Sequence, residues 1–234
     1  MSILDDAWSS LPTVVRASRG GRVRHGGARR QPAKLLELYE FEACPYCRKV
    51  REVMCELDLE YVCHPVARGS GHRDETPTWE GGRKSYPHLI DPNTGVSMRE
   101  SEEIIDYLHA TYGAGRSEID RTLAPLNTAS SFLASAIRPR GRAVRPSLAR
   151  RAQPPERLVL YQFEACPFCR KVREKLQALN LEYVAKCAAP GSARRHELSA
   201  HGKLQVPLLI DPNTGRALYE SDAIRAYLES EYGR

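Results

Sequence analysis

The chain has 234 residues and a formal net charge of +6, a length that suits one large domain or two small ones. Its longest apolar runs fall well short of the roughly 18 residues that a membrane-spanning helix needs, which argues against a transmembrane protein. Four of the seven cysteines form two Cys-x-x-Cys pairs, which indicates redox or metal chemistry in a reducing compartment rather than a secreted disulfide framework. We therefore expect a cytoplasmic protein.

A long internal repeat dominates the sequence. Residues 38–62, LYEFEACPYCRKVREVMCELDLEYV, match residues 160–184, LYQFEACPFCRKVREKLQALNLEYV. Residues 86–113 match residues 206–233 in the same way, but the register shift falls from 122 to 120. The sequence therefore predicts two copies of one domain, the second of them two residues shorter between the matched segments.

The segment before each copy is basic. Residues 1–34 carry seven Arg or Lys against two acidic residues, and residues 115–157 carry nine against three. Such segments can bind nucleic acid, but no nucleic-acid motif accompanies them and the acidic copies offer an internal partner. We predict structural arms, with an organellar transit peptide at residues 1–34 as the alternative. A short helix in each arm is expected to pack an apolar face on a core: Ile3, Leu4, Ala7, Trp8 and Leu11, then Leu126, Ala129, Phe132 and Leu133.

The elements of the first copy follow from periodicity and turn signals. Residues 35–41 form an apolar, aromatic-containing run that predicts a buried strand, and apolar residues recur at helical spacing from Pro45 onwards. Residues 59–63 predict a second strand. After a polar connector, residues 88–91 and 96–99 predict two strands around an Asp-Pro-Asn-Thr-Gly turn.

Ser101 begins the last helix of the copy and has the side chain of an N-cap residue. The order β-α-β, connector, β-β-α is the minimal thioredoxin-like layout. The predicted fold class is α/β, with two tandem thioredoxin-like domains and helical basic arms. We place the arms at residues 1–34 and 115–157 and two separately folded domains at residues 35–114 and 158–234.

The first cysteine pair lies at a strand-to-helix turn. Cys44 projects just before the helix, a proline takes the first helical position, and Cys47 lies one turn inside. Free backbone N–H groups and the helix dipole stabilise a thiolate at such a position, so Cys44 is the candidate nucleophile and Cys47 the resolving thiol. Arg48 and Lys49 are expected to favour the thiolate, whereas Glu42 opposes it.

Cys166 and Cys169 repeat the arrangement with Arg170 and Lys171. A zinc ion bound by all four motif thiolates is disfavoured, because each pair opens a helix in its own unit, far from the other pair. An iron–sulfur cluster is an open alternative that we do not favour. The remaining cysteines are expected to be small buried residues: Cys55, Cys63 and Cys187.

The shared motif LYxFEACPxCRKVRE, the later Pro-x-Leu-Ile-Asp strand and the Glu-Ser pair before the last helix occur in the same order in both copies. Together they resemble glutaredoxins and the N-terminal domains of glutathione S-transferases. They resemble most the cysteine-bearing domain of membrane-associated type-2 prostaglandin E synthases. The basic residue that typical glutaredoxins place three positions before the first cysteine is Phe41 here, and Phe163 in the second copy.

The resemblance implies a glutathione site in each copy. It implies cis peptide bonds before Pro87 and Pro207, with the backbone of the preceding residue pairing with the cysteinyl part of glutathione. It also implies that the Glu-Ser pair holds the γ-glutamyl end, which suits a helix N-terminus. The implied glutathione-binding residues are Tyr46, Tyr86, Pro87, Glu100 and Ser101, and in the second copy Phe168, Val206, Pro207, Glu220 and Ser221.

These observations predict a glutathione-linked thiol–disulfide oxidoreductase with two CPxC sites, acting on protein or small-molecule disulfides. The alternative is a non-catalytic module that binds glutathione, a metal cluster or a protein partner. A glutathione transferase is less favoured, because no all-helical domain of transferase size follows either copy.

The two sites are also expected to differ. The first has Tyr46, Tyr86 and His88 where the second has Phe168, Val206 and Leu208. Hydrogen bonds from these polar groups would make Cys44 the more acidic of the two outer thiols. His88 either lines the pocket or is a half-exposed strand residue.

Overall fold

A computed structural model of the chain describes residues 3–24, 27–76, 78 and 84–234. The first arm and the first copy contain α1 (Ile3–Val15), β1 (Leu36–Glu40), α2 (Pro45–Glu56), β2 (Tyr61–Pro65), α3 (His72–Glu75), β3 (His88–Asp91), β4 (Val96–Arg99) and α4 (Ser101–Thr111). The second arm and the second copy contain α5 (Glu118–Thr122), α6 (Ala124–Ile137), β5 (Leu158–Gln162), α7 (Pro167–Ala178), β6 (Tyr183–Cys187), α8 (Arg195–Ala200), β7 (Leu208–Asp211), β8 (Arg216–Tyr219) and α9 (Ser221–Tyr232).

The predicted element order and the α/β fold class are confirmed in both copies. The second strand begins at Tyr61, two residues later than predicted, and the polar connectors contain the short helices α3 and α8. Helix α4 begins at Ser101 as expected, but the N-cap position belongs to Glu100, whose φ is 74° and whose side chain makes no cap hydrogen bond. The predicted N-cap role of the Ser101 hydroxyl was therefore wrong.

The eight strands of the described ranges form one sheet in the order β4-β3-β1-β2-β6-β5-β7-β8. Strands β1 and β2 are parallel, as are β5 and β6, and the copies join where β2 pairs antiparallel with β6. The central pair of this junction is Val62 opposite Val184, which are equivalent residues of the two copies. The copies are therefore related by a pseudo-twofold axis at the junction. The expectation of two separately folded domains did not include this shared sheet, and the four predicted ranges stay a prediction.

The two arms are exchanged between the copies. Helix α1 packs against α7 of the second copy, and α6 packs against α2 of the first. The Ser9 hydroxyl donates to the Pro167 carbonyl at 2.7 Å, and the equivalent Ser131 hydroxyl donates to the Pro45 carbonyl at 2.7 Å. Each arm thus covers the start of the cysteine helix of the other copy.

The prediction that the arm helices bury an apolar face was wrong. Leu4 is 79 % exposed and Leu126 is 67 % exposed, while the side chain of Ile3 lies outside the described residues. The other predicted apolar residues are also exposed: Ala7, Trp8, Leu11, Ala129, Phe132 and Leu133.

The face that each arm buries is polar because the surface on which it packs contains buried carboxylates. Arg16 Nε donates to Glu52 Oε1 at 2.8 Å, and the equivalent Arg138 Nη2 donates to Glu174 Oε2 at 2.8 Å. Both arginines are buried. A buried carboxylate without a cation is costly, so these pairs determine which face of each arm points inward.

A buried cluster of arginines and glutamates joins α2 to α7. Arg51 Nε donates to Glu164 Oε2 at 2.9 Å, and the equivalent Arg173 Nε donates to Glu42 Oε2 at 2.8 Å. The four side chains are at most 2 % exposed. Arg48 Nη1 adds a contact of 3.3 Å to Glu164. The motif residues shared by both copies therefore hold the copies together.

Glu164→Gln should lower the free energy of unfolding by about 3 kcal/mol or more, because it removes a charge shared by the buried guanidinium groups of Arg48, Arg51 and Arg173. Glu118→Gln is the control, since Glu118 is exposed at α5 and its ion pair among the described residues is with Arg121. It should change stability by less than about 0.5 kcal/mol. Urea unfolding of the full chain measures both. Equal midpoints for Glu164→Gln and the wild type would contradict the role of the cluster.

Candidate functional site

Each Cys-x-x-Cys pair occupies the N-terminus of a helix. Cys44 is the N-cap residue of α2 in an extended conformation, and Pro45, which has no N–H to leave unpaired, begins the helix. The Cys47 N–H donates to Cys44 Sγ at 3.2 Å. The second copy repeats this geometry, where the Cys169 N–H donates to Cys166 Sγ at 3.3 Å. The outer sulfur thus takes the place of the oxygen that normally caps a helix.

The surroundings of Cys44 favour its thiolate. Burial by itself opposes ionisation, but hydrogen bonds from the thiol and N–H of Cys47 and from the Tyr46 N–H, with the charge of Arg51, lower the pKa of Cys44 below its usual value. Cys47 behaves in the opposite way. Burial and the neighbouring Cys44 sulfur raise the pKa of Cys47 well above its usual value.

The second pair shows the same division. The hydrogen bond from the Cys169 thiol is the largest influence on Cys166, and together with the Cys169 N–H and the charge of Arg173 it lowers the pKa of Cys166 to about 7. Burial raises the pKa of Cys169 well above its usual value. In both copies the outer thiol is the acidic one and the inner thiol holds its proton, as a nucleophile and a resolving thiol require.

The charges that favour the thiolates are not the ones predicted from the sequence. Arg48 turns to Glu164, and Lys49 Nζ donates to Glu102 Oε1 at 2.6 Å. Arg51 acts on Cys44 instead, and Arg173 acts on Cys166. Seven residues separate each of these arginines from its outer cysteine, which is two helical turns and places both on one face. That spacing was the available signal, and sequence reasoning missed it.

All four motif cysteines are buried. Cys44 is 3 % exposed and Cys166 is 4 % exposed, whereas Cys47 and Cys169 are 0 % exposed. The outer thiols are therefore the more accessible ones, as expected, but by a small margin.

A cavity of about 230 Å³ is lined by Phe168, a residue of the second Cys-x-x-Cys motif. Its lining contains all five residues that the resemblance assigns to glutathione in this copy: Phe168, Val206, Pro207, Glu220 and Ser221. Gln205 also lines it. The Gln205 amide donates to Glu220 Oε1 at 2.5 Å, which holds the carboxylate at the start of α9. The structure thus brings these residues together around one pocket.

In the first copy the Cys44 thiol faces the Tyr86 carbonyl, with Sγ 3.9 Å from the oxygen. Tyr46 and Glu100 are exposed, whereas Pro87 and Ser101 are buried. The Tyr86-Pro87 and Val206-Pro207 bonds are both cis, as the resemblance implies.

His88 is a buried residue of β3, and its Nε2 lies 2.8 Å from the Ser97 hydroxyl oxygen. Burial lowers its pKa. The expectation of a half-exposed position was therefore wrong. The Tyr86 hydroxyl lies 3.4 Å from the Thr76 hydroxyl. These polar groups have partners away from Cys44, and the predicted inequality of the two sites stays a prediction.

The remaining cysteines are buried and carry no disulfide, as expected for small core residues. Cys63 donates to Glu40 Oε1 at 3.1 Å, and Cys187 donates to the Cys55 carbonyl at 3.4 Å. These contacts lie in the contact region between the copies, so the three thiols are structural.

The family model of the glutathione S-transferase N-terminal domain matches the chain twice, over residues 38–117 and 160–234. The two matches span more than half of the sequence, and the chain belongs to this family. No curated protein matches it. Among solved structures, Leishmania TDR1, described as a unique trimeric glutathione transferase, is 18 % identical with a TM-score of 0.29, over 84 % of this chain and 68 % of the other.

None of the helices in the described ranges is sufficiently long and apolar to cross a membrane.

Alkylation of the reduced chain by iodoacetamide should modify Cys166 with a midpoint near pH 7, because the thiolate is the reacting form and the pKa of Cys166 is about 7. Cys169 should stay unmodified over the same range, since burial raises its pKa. Mass spectrometry of proteolytic peptides, sampled against pH and time, separates the two. Faster modification of Cys169 than of Cys166 would reverse the assignment of nucleophile and resolving thiol.

Proposed function

We propose that the protein is a glutathione-linked thiol–disulfide oxidoreductase with two CPxC sites. The observation that supports this most strongly is the opposite shift of the two pKa values within each pair. The pKa is lowered at Cys44 and Cys166 and raised at Cys47 and Cys169. At Cys166, whose pKa is about 7, the thiolate is then available near neutral pH, and the lowered pKa of Cys44 favours its thiolate in the same way. The inner thiol keeps its proton until a mixed disulfide has formed.

The proposed reaction exchanges one disulfide for another. The Cys44 thiolate attacks one sulfur of a substrate disulfide, forms a mixed disulfide and expels the other sulfur as a thiolate. Cys47 then loses its proton and attacks Cys44 Sγ, which releases the second substrate thiol and leaves a Cys44–Cys47 disulfide. Two glutathione molecules reduce this disulfide in turn and leave as glutathione disulfide, so the substrate gains the two electrons that glutathione loses. Cys166 and Cys169 act in the same way.

Glutathione binding is proposed for the cavity of the second copy and for its counterpart in the first. The Glu220 carboxylate suits the γ-glutamyl amine, and the N-terminus of α9 at Ser221 suits the γ-glutamyl carboxylate. The backbone of Val206, which lines the same cavity, is proposed to pair with the cysteinyl part. Glu100, Ser101 and Tyr86 are the equivalents in the first copy.

The substrates are proposed to be small-molecule disulfides or exposed protein disulfides, because the outer sulfurs are almost covered. We propose a reducing compartment such as the cytoplasm, since the cycle needs free thiols and glutathione. A module that binds glutathione without turnover would use the same cavity, and only the assay below separates it from an enzyme.

The reduction of a glutathione mixed disulfide, coupled to a glutathione reductase and its nicotinamide cofactor, tests the proposal. Cys44→Ser and Cys166→Ser should each lose part of the activity, with the larger loss at Cys44→Ser if the sites differ as predicted. The double variant should lose at least about 100-fold, because no outer thiolate remains. Cys55→Ser is the control and should keep wild-type activity. Equal rates for the double variant and the wild type would refute the assignment.

Glu220→Gln, made in the Cys44→Ser background so that only the second site turns over, should raise the KM for glutathione about 10-fold through loss of the charge opposite the γ-glutamyl amine. The alkylation profile of Cys166 should not change, since Glu220 is not among the groups that shift its pKa. Glu118→Gln, in the same background, is the control for a lost surface carboxylate. An unchanged KM would place glutathione elsewhere while leaving the thiol chemistry intact.

A further inference from the structure

The pseudo-twofold axis creates two equivalent side-chain clusters, one on each side of the β2–β6 junction. In the first of these, the Lys186 ammonium lies 2.9 Å from Glu197 Oε2 and 3.6 Å from Glu60 Oε1. Arg194 Nε also contacts Glu60. An ammonium and a guanidinium, both charged at neutral pH, therefore compensate these two carboxylates.

The equivalent cluster on the other side has the same carboxylates but imidazoles in place of the cations. Glu182 and Glu75 correspond to Glu60 and Glu197, while His64 and His72 correspond to Lys186 and Arg194. His64 Nδ1 lies 2.7 Å from Glu182 Oε1, and His72 Nδ1 lies 3.6 Å from the same oxygen. His72 Nδ1 is also 2.9 Å from Glu75 Oε2.

With neutral imidazoles this histidine cluster carries an excess of negative charge. Glu37 Oε2 lies 3.4 Å from His64 Nε2 and adds a third carboxylate to Glu75 and Glu182. Within the part of the chain that the structure describes, Arg157 is the cation that pairs with these carboxylates, with Nε 3.0 Å from Glu182 Oε2. Three carboxylates thus face one guanidinium, an excess that one divalent cation would neutralise.

We propose that His64, His72 and Glu182 bind one divalent transition-metal ion at the junction of the two copies, with Zn²⁺ the expected ion. Their ligand atoms lie within 4.8 Å of one another. Two ligand atoms of a tetrahedral zinc site, each about 2.0–2.1 Å from the metal, are about 3.3 Å apart, so small side-chain shifts assemble the site.

Neighbouring groups orient these ligands as they do in metal sites. Glu37 faces the Nε2 of His64 and takes its proton in a hydrogen bond once Nδ1 binds the metal. Arg157 holds Glu182 Oε2 and leaves Oε1 toward the imidazoles. The His64 ring is stacked on Tyr39 with centroids 4.4 Å apart, which fixes its plane.

The ligands come from different parts of the chain, so the ion has a defined structural effect. His64 belongs to β2 of the first copy, His72 to the connector helix α3, and Glu182 precedes β6 of the second copy. Bound metal therefore cross-links the two copies beside their shared strand pair. The site shares no residue with either cysteine pair and does not depend on the proposed enzymatic function.

The test is titration of the reduced, metal-free full chain with Zn²⁺, and with Co²⁺ as a spectroscopic probe. Because the motif thiols also bind zinc, Co²⁺ distinguishes the sites: the histidine site gives visible absorption without the thiolate-to-metal charge-transfer band. One equivalent of metal should bind at the histidine site, without thiolate charge transfer, and raise the melting temperature of the protein. His72→Gln and Glu182→Gln should each weaken that equivalent at least about 100-fold.

Glu60→Gln is the matched control, since Glu60 is the counterpart of Glu182 in the cluster that already holds two cations, and it should retain the metal. A second measurement, by NMR, uses the wild-type chain and so does not depend on the folding of a variant. One equivalent of Zn²⁺ should shift the imidazole resonances of two of the seven histidines. Unchanged histidine resonances, or equal binding by all variants, would overturn the proposal. So would binding accompanied only by thiolate charge transfer.

Discussion

The rest of the structure depends on two buried ion pairs between the copies, Arg51 with Glu164 and Arg173 with Glu42. Burying several charges is favourable only when each finds a partner in good geometry, so these pairs restrict how α2 and α7 can lie against each other. The same arginines also lower the pKa of the outer cysteines. One set of guanidinium groups therefore serves both the contact between the copies and the chemistry of both sites.

The exchanged arms extend this dependence. Ser9 of the first arm binds the carbonyl of Pro167, and Ser131 of the second arm binds the carbonyl of Pro45. Each cysteine turn is thereby held by a segment that precedes the other copy. A pair of single-domain proteins would need to associate to obtain the same arrangement, and here the covalent linkage keeps both copies and both arms at a high effective concentration.

The pseudo-symmetry also shows where the copies differ. Glu40 accepts from Cys63, whereas its equivalent Gln162 is neutral and accepts from Arg173 at 2.7 Å. Burial raises the pKa of Glu40, so its charge is costly, and one copy avoids that cost. The replacement of Lys186 and Arg194 by His64 and His72 is the larger difference. A repeated scaffold thus keeps its backbone and its thiol geometry while individual charged positions acquire separate chemistry.

The sequence alone determined the local structure: the strands of each copy, the helices that begin at Pro45 and Pro167, and the cysteine pairs at their N-termini. Turn residues, apolar periodicity and a proline at the first helical position act over a few residues, so these signals predict the local structure from the sequence alone.

The tertiary structure decided what each surface meets. The arms bury a polar face because Arg16 and Arg138 pair with the buried carboxylates of Glu52 and Glu174. Arg48 came to pair with Glu164, and His72 came to lie beside Glu182, because packing between the copies brings together residues that are distant in sequence. Pairing energies of this kind depend on distance and burial in space, which no local pattern records.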